Sequence, residues 1–268
     1  MKPVDYFAQH SVFRYEDFAS LHQRENQCKP ATTRAVLRQH VKAGRLLHIR
    51  RGLYAVIPKG GSQESLNLNP FVIASQLVPD AIVSHHGALQ YHGKAYSVFR
   101  RIPFFTNSKL KAFDFRGIEY IPVPAPPSLR ELENFGGGVI IVQYEGAELR
   151  VTTLERTLVD VLDAPRYNGG WEEIWRSLES VEFFDIDAIT DYAFLLGSAV
   201  TIAKVGFYLE QHREELMVEE RHLVRLSQRV PKNPLYLERG KRESGKLMSR
   251  WNLIVPDRML NREWISEI

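Results

Sequence analysis

The sequence predicts an α+β protein: an N-terminal winged helix-turn-helix followed by a larger mixed α/β domain. Three observations predict it. Residues 32–45 read as a short amphipathic helix stopped by Gly44. Residues 46–57 read as two β-rich runs around Arg50-Arg51-Gly52, a hairpin with a basic tip. Beyond residue 66, helical segments with cap signals mix with short strands and glycine turns.

Residues 3–9 form a first short helix with Pro3 in its first turn. Residues 15–24 form a second, with Phe18 and Leu21 at i,i+3 for the core. Lys29-Pro30-Ala31 is the turn into the basic helix, and Thr32 or Thr33 its N-cap. In that helix Ala35, Val36, Leu37 and Val41 offer an apolar side. Arg34, Arg38 and Lys42 recur every four residues and stack along one face. Such a row repels itself, so it is either well solvated or meets an anionic partner. The basic-tipped hairpin directly behind favours a partner, double-stranded DNA, with the helix in the major groove and the wing on the flanking backbone. Arg34 and Arg38 suit bidentate contacts to guanine, and Gln39 or Thr33 could reach other base edges. Lys42, Arg45, Arg50 and Arg51 suit phosphates, which set register without reading sequence. Residues 58–63, Pro-Lys-Gly-Gly-Ser-Gln, read as a flexible connection, giving domains over 1–60 and 66–268.

The second part opens on Asn69-Pro70, an N-cap with proline at the first helical position, and its helix runs to about Leu77. Residues 81–83 are a short buried strand, and Ser84 caps a helix over 85–92 that Gly93 ends. Strands follow at 102–106, 113–115, 118–123, 139–144 and 147–151, with antiparallel hairpins at Arg116-Gly117 and Glu145-Gly146. Thr152-x-x-Glu155 matches a capping box, so a helix starts there and runs to about Leu162. Helices are expected near 171–178, 188–196, 200–215 and 219–229, and strands at 235–237 and 252–255.

Charge distribution agrees with a nucleic-acid reader joined to something with another task. The net charge of the 268 residues is only +3, but residues 1–65 hold 11 Lys/Arg against 5 Asp/Glu. Cys28 is the single cysteine, so no internal disulfide and no thiolate zinc site is available, and a reducing cytoplasm is the simplest compartment. The N-terminal residues lack a signal-peptide apolar core, and no apolar run approaches the roughly 18 residues of a membrane span.

Other constellations carry less. His85, His86 and His92 could share a helix face as metal ligands, but no carboxylate or thiolate stands at ligand spacing; a capped polar helix is the better reading, with no metal or cofactor. Arg156 and Asp160 sit at i,i+4 and pair on a helix surface. Arg239, Lys241, Arg242 and Lys246 form either a solvated basic loop or a second phosphate contact. Glu145-Gly-Ala-Glu148 lacks the lysine of a restriction-type nuclease motif. Gly136-Gly137-Gly138 is no phosphate loop, and G-x-S-x-G is absent. The sequence reads as non-catalytic; a DNA-targeted nuclease and a ligand-sensing transcription factor are the rival readings.

Several short motifs follow one another in a telling order: Gly44-Arg45-Leu46 with Arg51-Gly52-Leu53-Tyr54, then Val83-Ser84-His85-His86-Gly87-Ala88-Leu89 with His92-Gly93. Thr153-Leu154-Glu155-Arg156-Thr157-Leu158-Val159-Asp160, Lys204-Val205-Gly206-Phe207-Tyr208-Leu209-Glu210 and Trp251-Asn252-Leu253-Ile254-Val255-Pro256 come after them. Together, across nearly the full chain, they resemble the AbiEi family, antitoxins and transcriptional regulators of type IV abortive-infection toxin–antitoxin systems. The resemblance implies a winged-helix N-terminus that represses its own operon by binding upstream repeats. It also implies that the 66–268 domain supports repression and counteracts a nucleotidyltransferase-like toxin, AbiEii, without a stable complex. A contact of Arg156 or Asp160 with a toxin-related ligand would rest on that resemblance. Self-association is left open.

Overall fold

The computed structural model describes residues 2–238 and 245–261. The protein is α+β. It begins α1 (Pro3–Phe7), β1 (Val12–Arg14), α2 (Tyr15–Asn26), α3 (Pro30–Lys42), β2 (Leu46–Arg50), β3 (Leu53–Val56), α4 (Pro70–Gln76) and β4 (Ile82–Val83). It continues α5 (His85–Tyr91), β5 (Arg101–Thr106), β6 (Phe113–Phe115), β7 (Ile118–Pro124), β8 (Val139–Tyr144), β9 (Ala147–Thr152) and α6 (Leu154–Asp163). Then come α7 (Trp171–Glu179), α8 (Ile186–Leu196), α9 (Ala199–Gln211), α10 (Glu220–Ser227), β10 (Leu235–Tyr236), β11 (Gly245–Met248), β12 (Leu253–Pro256) and α11 (Asp257–Leu260). None of the described helices is long and apolar enough to cross a membrane.

The chain forms two compact units from interleaved segments. The first holds the residues up to Val83 with Arg100–Pro124 and Val139–Val151; the second holds Ser84–Phe99, Ala125–Gly138 and the described residues from Thr152 onward.

In the first unit, β1, β3 and β2 make an antiparallel sheet in that order. Strand β1 is only three residues long, too short to show an alternation in the sequence. The second sheet is six-stranded and mixed, in the order β6-β7-β5-β4-β9-β8. Its parallel pairs are β5 with β7 and β4 with β9. The hairpin turns fall where Arg116-Gly117 and Glu145-Gly146 place them, with positive φ at both central residues, 54° and 73° in one and 46° and 76° in the other. That is the turn whose twist matches antiparallel strands. Asn69 caps α4 by accepting from the amides of Phe71 and Val72. The 58–63 segment, expected to be flexible, is tied down at its end: the Arg116 guanidinium donates to the carbonyl of Gln63 and to that of Leu66 beyond it.

Tyr6, Phe7, Phe13 and Phe18 form the centre of an aromatic core with Leu37 and Leu46. Their rings meet edge-on, stacked or tilted at centroid distances of 5.2 to 6.4 Å, the spacing at which ring quadrupoles attract. Leu21, expected in this core, is 39% exposed; His22 is buried instead.

In the second unit, α6 is buried along Arg156–Leu162 and packs with α5, α8 and α9. Its N-cap is Thr153, which accepts from the Arg156 amide, one residue later than the capping box suggested. Helix α9 presents Gly206 to the wholly buried Trp251, whose indole donates to Glu210 at 2.6 Å. Strand β12 lies between β10 and β11; β11 was not anticipated. A Cβ at Gly206 would stand 2.0 Å from the Trp251 ring. Alanine gains about 1 kcal/mol in helix propensity, but overpacking costs about 1–3 kcal/mol. Gly206→Ala is therefore expected to lower the thermal midpoint; an unchanged or raised midpoint would contradict this packing.

Candidate nucleic-acid interface

Helix α3 starts at Pro30, not at a threonine cap; Lys29 precedes it without a side-chain cap bond. Proline suits this position because its missing N–H is one a helix start leaves unbonded. The helix ends on Gly44 at φ +67°, where the Arg45 amide donates to the His40 carbonyl and the Gly44 amide to that of Val41. This closure is the Schellman pattern, which needs the left-handed backbone glycine supplies.

Thr33, Leu37 and His40 are the buried residues of α3, at i, i+4 and i+7 on one face. Thr33 is wholly buried, its hydroxyl 3.3 Å from His22 Nδ1 and 3.6 Å from Cys28 Sγ. It cannot reach a base edge, which corrects the reading of Thr33 as a contact. Ala35, expected on the apolar side, is exposed; Val36 and Val41 are half-buried. His40 meets Phe7 edge-on at 4.9 Å. Burial, with the nearby charge of Arg45, lowers its pKa from the usual 6.5, so the buried face is neutral at pH 7.

The opposite face exposes Arg34, Ala35, Arg38, Gln39 and Lys42. Arg38 Nε donates to the Arg34 carbonyl at 3.4 Å. Tyr15, at the start of α2, joins this face to the β2–β3 tip. Its amide donates to the Gly52 carbonyl at 2.7 Å, and the Arg34 guanidinium lies over its ring, 5.7 Å from the centroid. Arg51 is exposed at the tip and Arg45 just beyond α3. Arg50 behaves differently. It is half-buried, its guanidinium 4.8 Å from the Phe113 ring centroid and its Nη1 buried without a hydrogen-bond partner. Its reading as a free phosphate contact is corrected accordingly: the guanidinium lies over Phe113 of β6, and Arg50 ends a strand whose register shifts between His48 and Arg50.

The exposed cations of this surface stand without carboxylate partners. Among the described residues, Arg34, Arg38, Lys42, Arg45 and Arg51 make no ion pair. In the second unit, by contrast, Arg225 pairs with Asp191 at 2.7 Å, Arg250 with Glu220 at 2.6 Å and Arg213 with Glu220 at 3.0 Å. Glu16 stands at the tip, its carboxylate 3.9 Å from where a Gly52 Cβ would stand.

Arg156 and Asp160 were expected on a helix surface, open to a ligand. They are buried, with 1% and 2% of their side chains exposed. Arg156 Nε donates to Asp160 Oδ2 at 3.4 Å, and its Nη1 donates to the carbonyls of Asn134 and Gly137. Tyr192 donates to Asp160 Oδ1 at 2.8 Å. Burial pushes the Asp160 carboxyl up to about 7, against the pull of Arg156 and of the Tyr192 hydroxyl. The pair holds the interior and offers no surface for recognition.

The three histidines each have a separate partner. His86 bonds Glu173 at 3.0 Å and Gln90 at 2.8 Å, His92 bonds the Thr152 carbonyl at 2.7 Å, and His85 bonds Ser84 at 2.9 Å. Lys246 is exposed on β11 opposite Val255; Arg239, Lys241 and Arg242 lie outside the described residues.

No protein-family model and no curated protein matches the chain. In fold it is similar to the crystal structure of the RV2827C protein from Mycobacterium tuberculosis, with a TM-score of 0.61 over 98% of this chain and 93% of that one, at 16% identity. That likeness is one of fold.

The buried acid has a pH signature. Between the usual carboxylate value near 4 and about 7, the folded chain holds the Asp160 proton that the unfolded chain releases, so this group makes stability fall as pH rises through that window. His85, pushed down to about 3 chiefly by burial, acts in the opposite sense between about 3 and 6.5. Comparing wild type with Asp160→Asn cancels the histidine. Wild-type unfolding free energy, measured in urea, should drop relative to the variant from pH 4 to pH 7; parallel curves would rule out the protonated buried carboxyl.

Proposed function

We propose that this protein is a DNA-binding antitoxin of the AbiEi type, which represses its own operon and acts in the cytoplasm without catalysing a reaction. The observation that carries the DNA-binding half is the outer face of α3. Burial of Thr33, Leu37 and His40 leaves Arg34, Arg38, Gln39 and Lys42 outward and unpaired beside a tip carrying Arg51. The order α1-β1-α2-α3-β2-β3 with a β1-β3-β2 sheet supports a winged helix-turn-helix, in which α3 enters the major groove and the β2–β3 tip touches the backbone. Small Ala35 on that face lets the helix approach base edges closely. The antitoxin half rests on the motif resemblance. Because Arg156 and Asp160 are buried, action against an AbiEii-like toxin falls to other residues of the 66–268 segment, without a stable complex.

The roles divide by chemistry. Arg34, Arg38 and Gln39 read base edges; Lys42, Arg45 and Arg51 hold phosphates. Three phosphate-holding cations imply a slope of about −3 for log K against log salt.

Fluorescence anisotropy with the chain's own promoter tests this reading. Arg34→Ala or Arg38→Ala should cost about 1–3 kcal/mol of operator preference. Arg51→Ala should weaken all duplexes alike and flatten the salt slope by about one. Arg50→Ala should leave that slope alone and lower stability instead. No salt-dependent binding at all would overturn the assignment, as would cleavage of plasmid in Mg²⁺ or Mn²⁺. Growth rescue against the neighbouring nucleotidyltransferase-like gene tests the antitoxin half, and a chain that represses yet never rescues would leave only a regulator.

A further inference from the structure

The first unit also carries a cavity away from the outer face of α3. Parts of α1, β3, the 58–68 segment and the β8–β9 turn enclose an open space of about 670 Å³. Val4, Phe7, Val56, Ile57, Leu66 and Leu68 give it mostly apolar walls. Its size lies within the range of small-molecule sites, and a few polar groups on apolar walls is their usual chemistry.

The walls are held by the backbone. The Val56 amide donates to the Ser11 carbonyl at 2.8 Å, the Ile57 amide to that of Arg45 at 3.0 Å, and the Ser11 amide to that of Glu145 at 3.0 Å. Arg116 fixes the carbonyls of Gln63 and Leu66 on the far side. The turn behind Glu145 needs glycine: a Cβ at Gly146 would collide with the Gln9 carbonyl. The cavity is therefore formed in advance rather than created by a ligand.

Two cations, Arg45 and Lys59, line it; both are exposed and neither makes an ion pair among the described residues. Glu145 is the one carboxylate among the lining residues. His10 is already engaged, its Nδ1 2.9 Å from the Tyr6 carbonyl and its ring stacked on Tyr6 at 4.0 Å. An apolar floor with a cationic rim fits a molecule with an apolar body and an anionic head. The body loses water against Phe7, Ile57, Leu66 and Leu68 while the head meets Arg45 and Lys59.

We propose that this cavity binds an amphipathic organic anion, an aromatic or medium-chain acid, and that its occupation draws Arg45 away from DNA. The first part stands on the cavity alone; the second rests on the DNA-binding reading above. Two links connect them. Phe7, in the floor, meets His40 of α3, and Arg45 both ends α3 and lines the cavity. Withdrawing one cation from a phosphate changes the salt slope by about 0.9.

The full chain is titrated with 8-anilinonaphthalene-1-sulfonate, with its uncharged relative N-phenyl-1-naphthylamine, and with dodecanoate as competitor. The expected result is saturable fluorescence with the sulfonate at one site per chain, displaced by dodecanoate. Leu66→Trp, which fills the cavity, should weaken probe binding at least tenfold with an unchanged thermal midpoint. Val4→Trp, at a position already 50% exposed, provides a second filling variant that does not disturb the core. Arg45→Gln and Lys59→Gln should weaken the sulfonate several-fold and the neutral relative little. No saturable binding, full binding by both filled variants, or equal loss of charged and neutral probes would overturn the site. Anisotropy with promoter DNA separates the two readings. A chain that binds the probe but no DNA retains the cavity and refutes the function; one that binds DNA but no probe does the reverse. Where both bind, saturating dodecanoate should weaken DNA binding and reduce the salt slope, and unchanged DNA binding would refute the coupling.

Discussion

The orientation of one helix depends on three side chains. Leu37, wholly buried against the aromatic core, sets the inward face of α3, and removing such a side chain typically costs about 2–5 kcal/mol. Repulsion within the Arg34, Arg38, Lys42 row amounts to only about a few tenths of a kcal/mol per pair. Burial therefore decides, and the cations are held outward whether or not a partner is present. Thr33 and His40 complete the stripe because each can be buried without charge. Thr33 shares its hydroxyl with His22 and Cys28, and His40 is kept neutral by burial and by Arg45.

A comparable constraint operates in the second unit through Arg156. Residues Asn134 to Gly138 all have positive φ, two of them, Asn134 and Phe135, not glycine. Such backbone costs about 1–3 kcal/mol at each non-glycine position unless its surroundings enforce it. The Arg156 guanidinium binds the carbonyls of Asn134 and Gly137, and the Thr153 amide binds that of Gly138. Desolvating a charge is expensive, and a buried ion pair alone seldom returns that cost. Here the guanidinium also satisfies loop carbonyls and lies 5.0 Å from the Tyr192 ring centroid, which accounts for an arginine in an apolar helix.

These two helices show what was legible in the sequence. Local chemistry was readable: the Asn69-Pro70 start, the glycine closing α3, and the two positive-φ hairpin turns depend on residues within a few positions of each other. The basic face of α3 was visible from its period of four. What failed depended on distant partners. Arg50 packs on Phe113, and Arg156 on a loop about twenty residues upstream, so neither burial could be read from neighbours. Thr33 resembled a cap because threonine before a helical run usually is one, yet Pro30 had already begun the helix. Strand β1 was too short for alternation, and the parallel pairing of β5 with β7 follows from sheet topology rather than from any local run. The cavity had no sequence signal, since its walls come from segments more than a hundred residues apart.

The treatment of surface charge adds a last argument about α3. Exposed ion pairs contribute little to stability, so folding does not compel Arg225 to meet Asp191 or Arg250 to meet Glu220. Nor does it compel Arg34, Arg38 and Lys42 to stand alone. Glutamates interspersed along α3 would have removed the repulsion and kept the helix soluble. Instead its outer face holds no acidic residue. Such a field raises the local concentration of polyanions and speeds their encounter, while a mixed face would not. The fold does not require the small unfavourable term that this face retains, since Arg225 and Arg250 of the second unit are paired, and this supports the proposed binding surface.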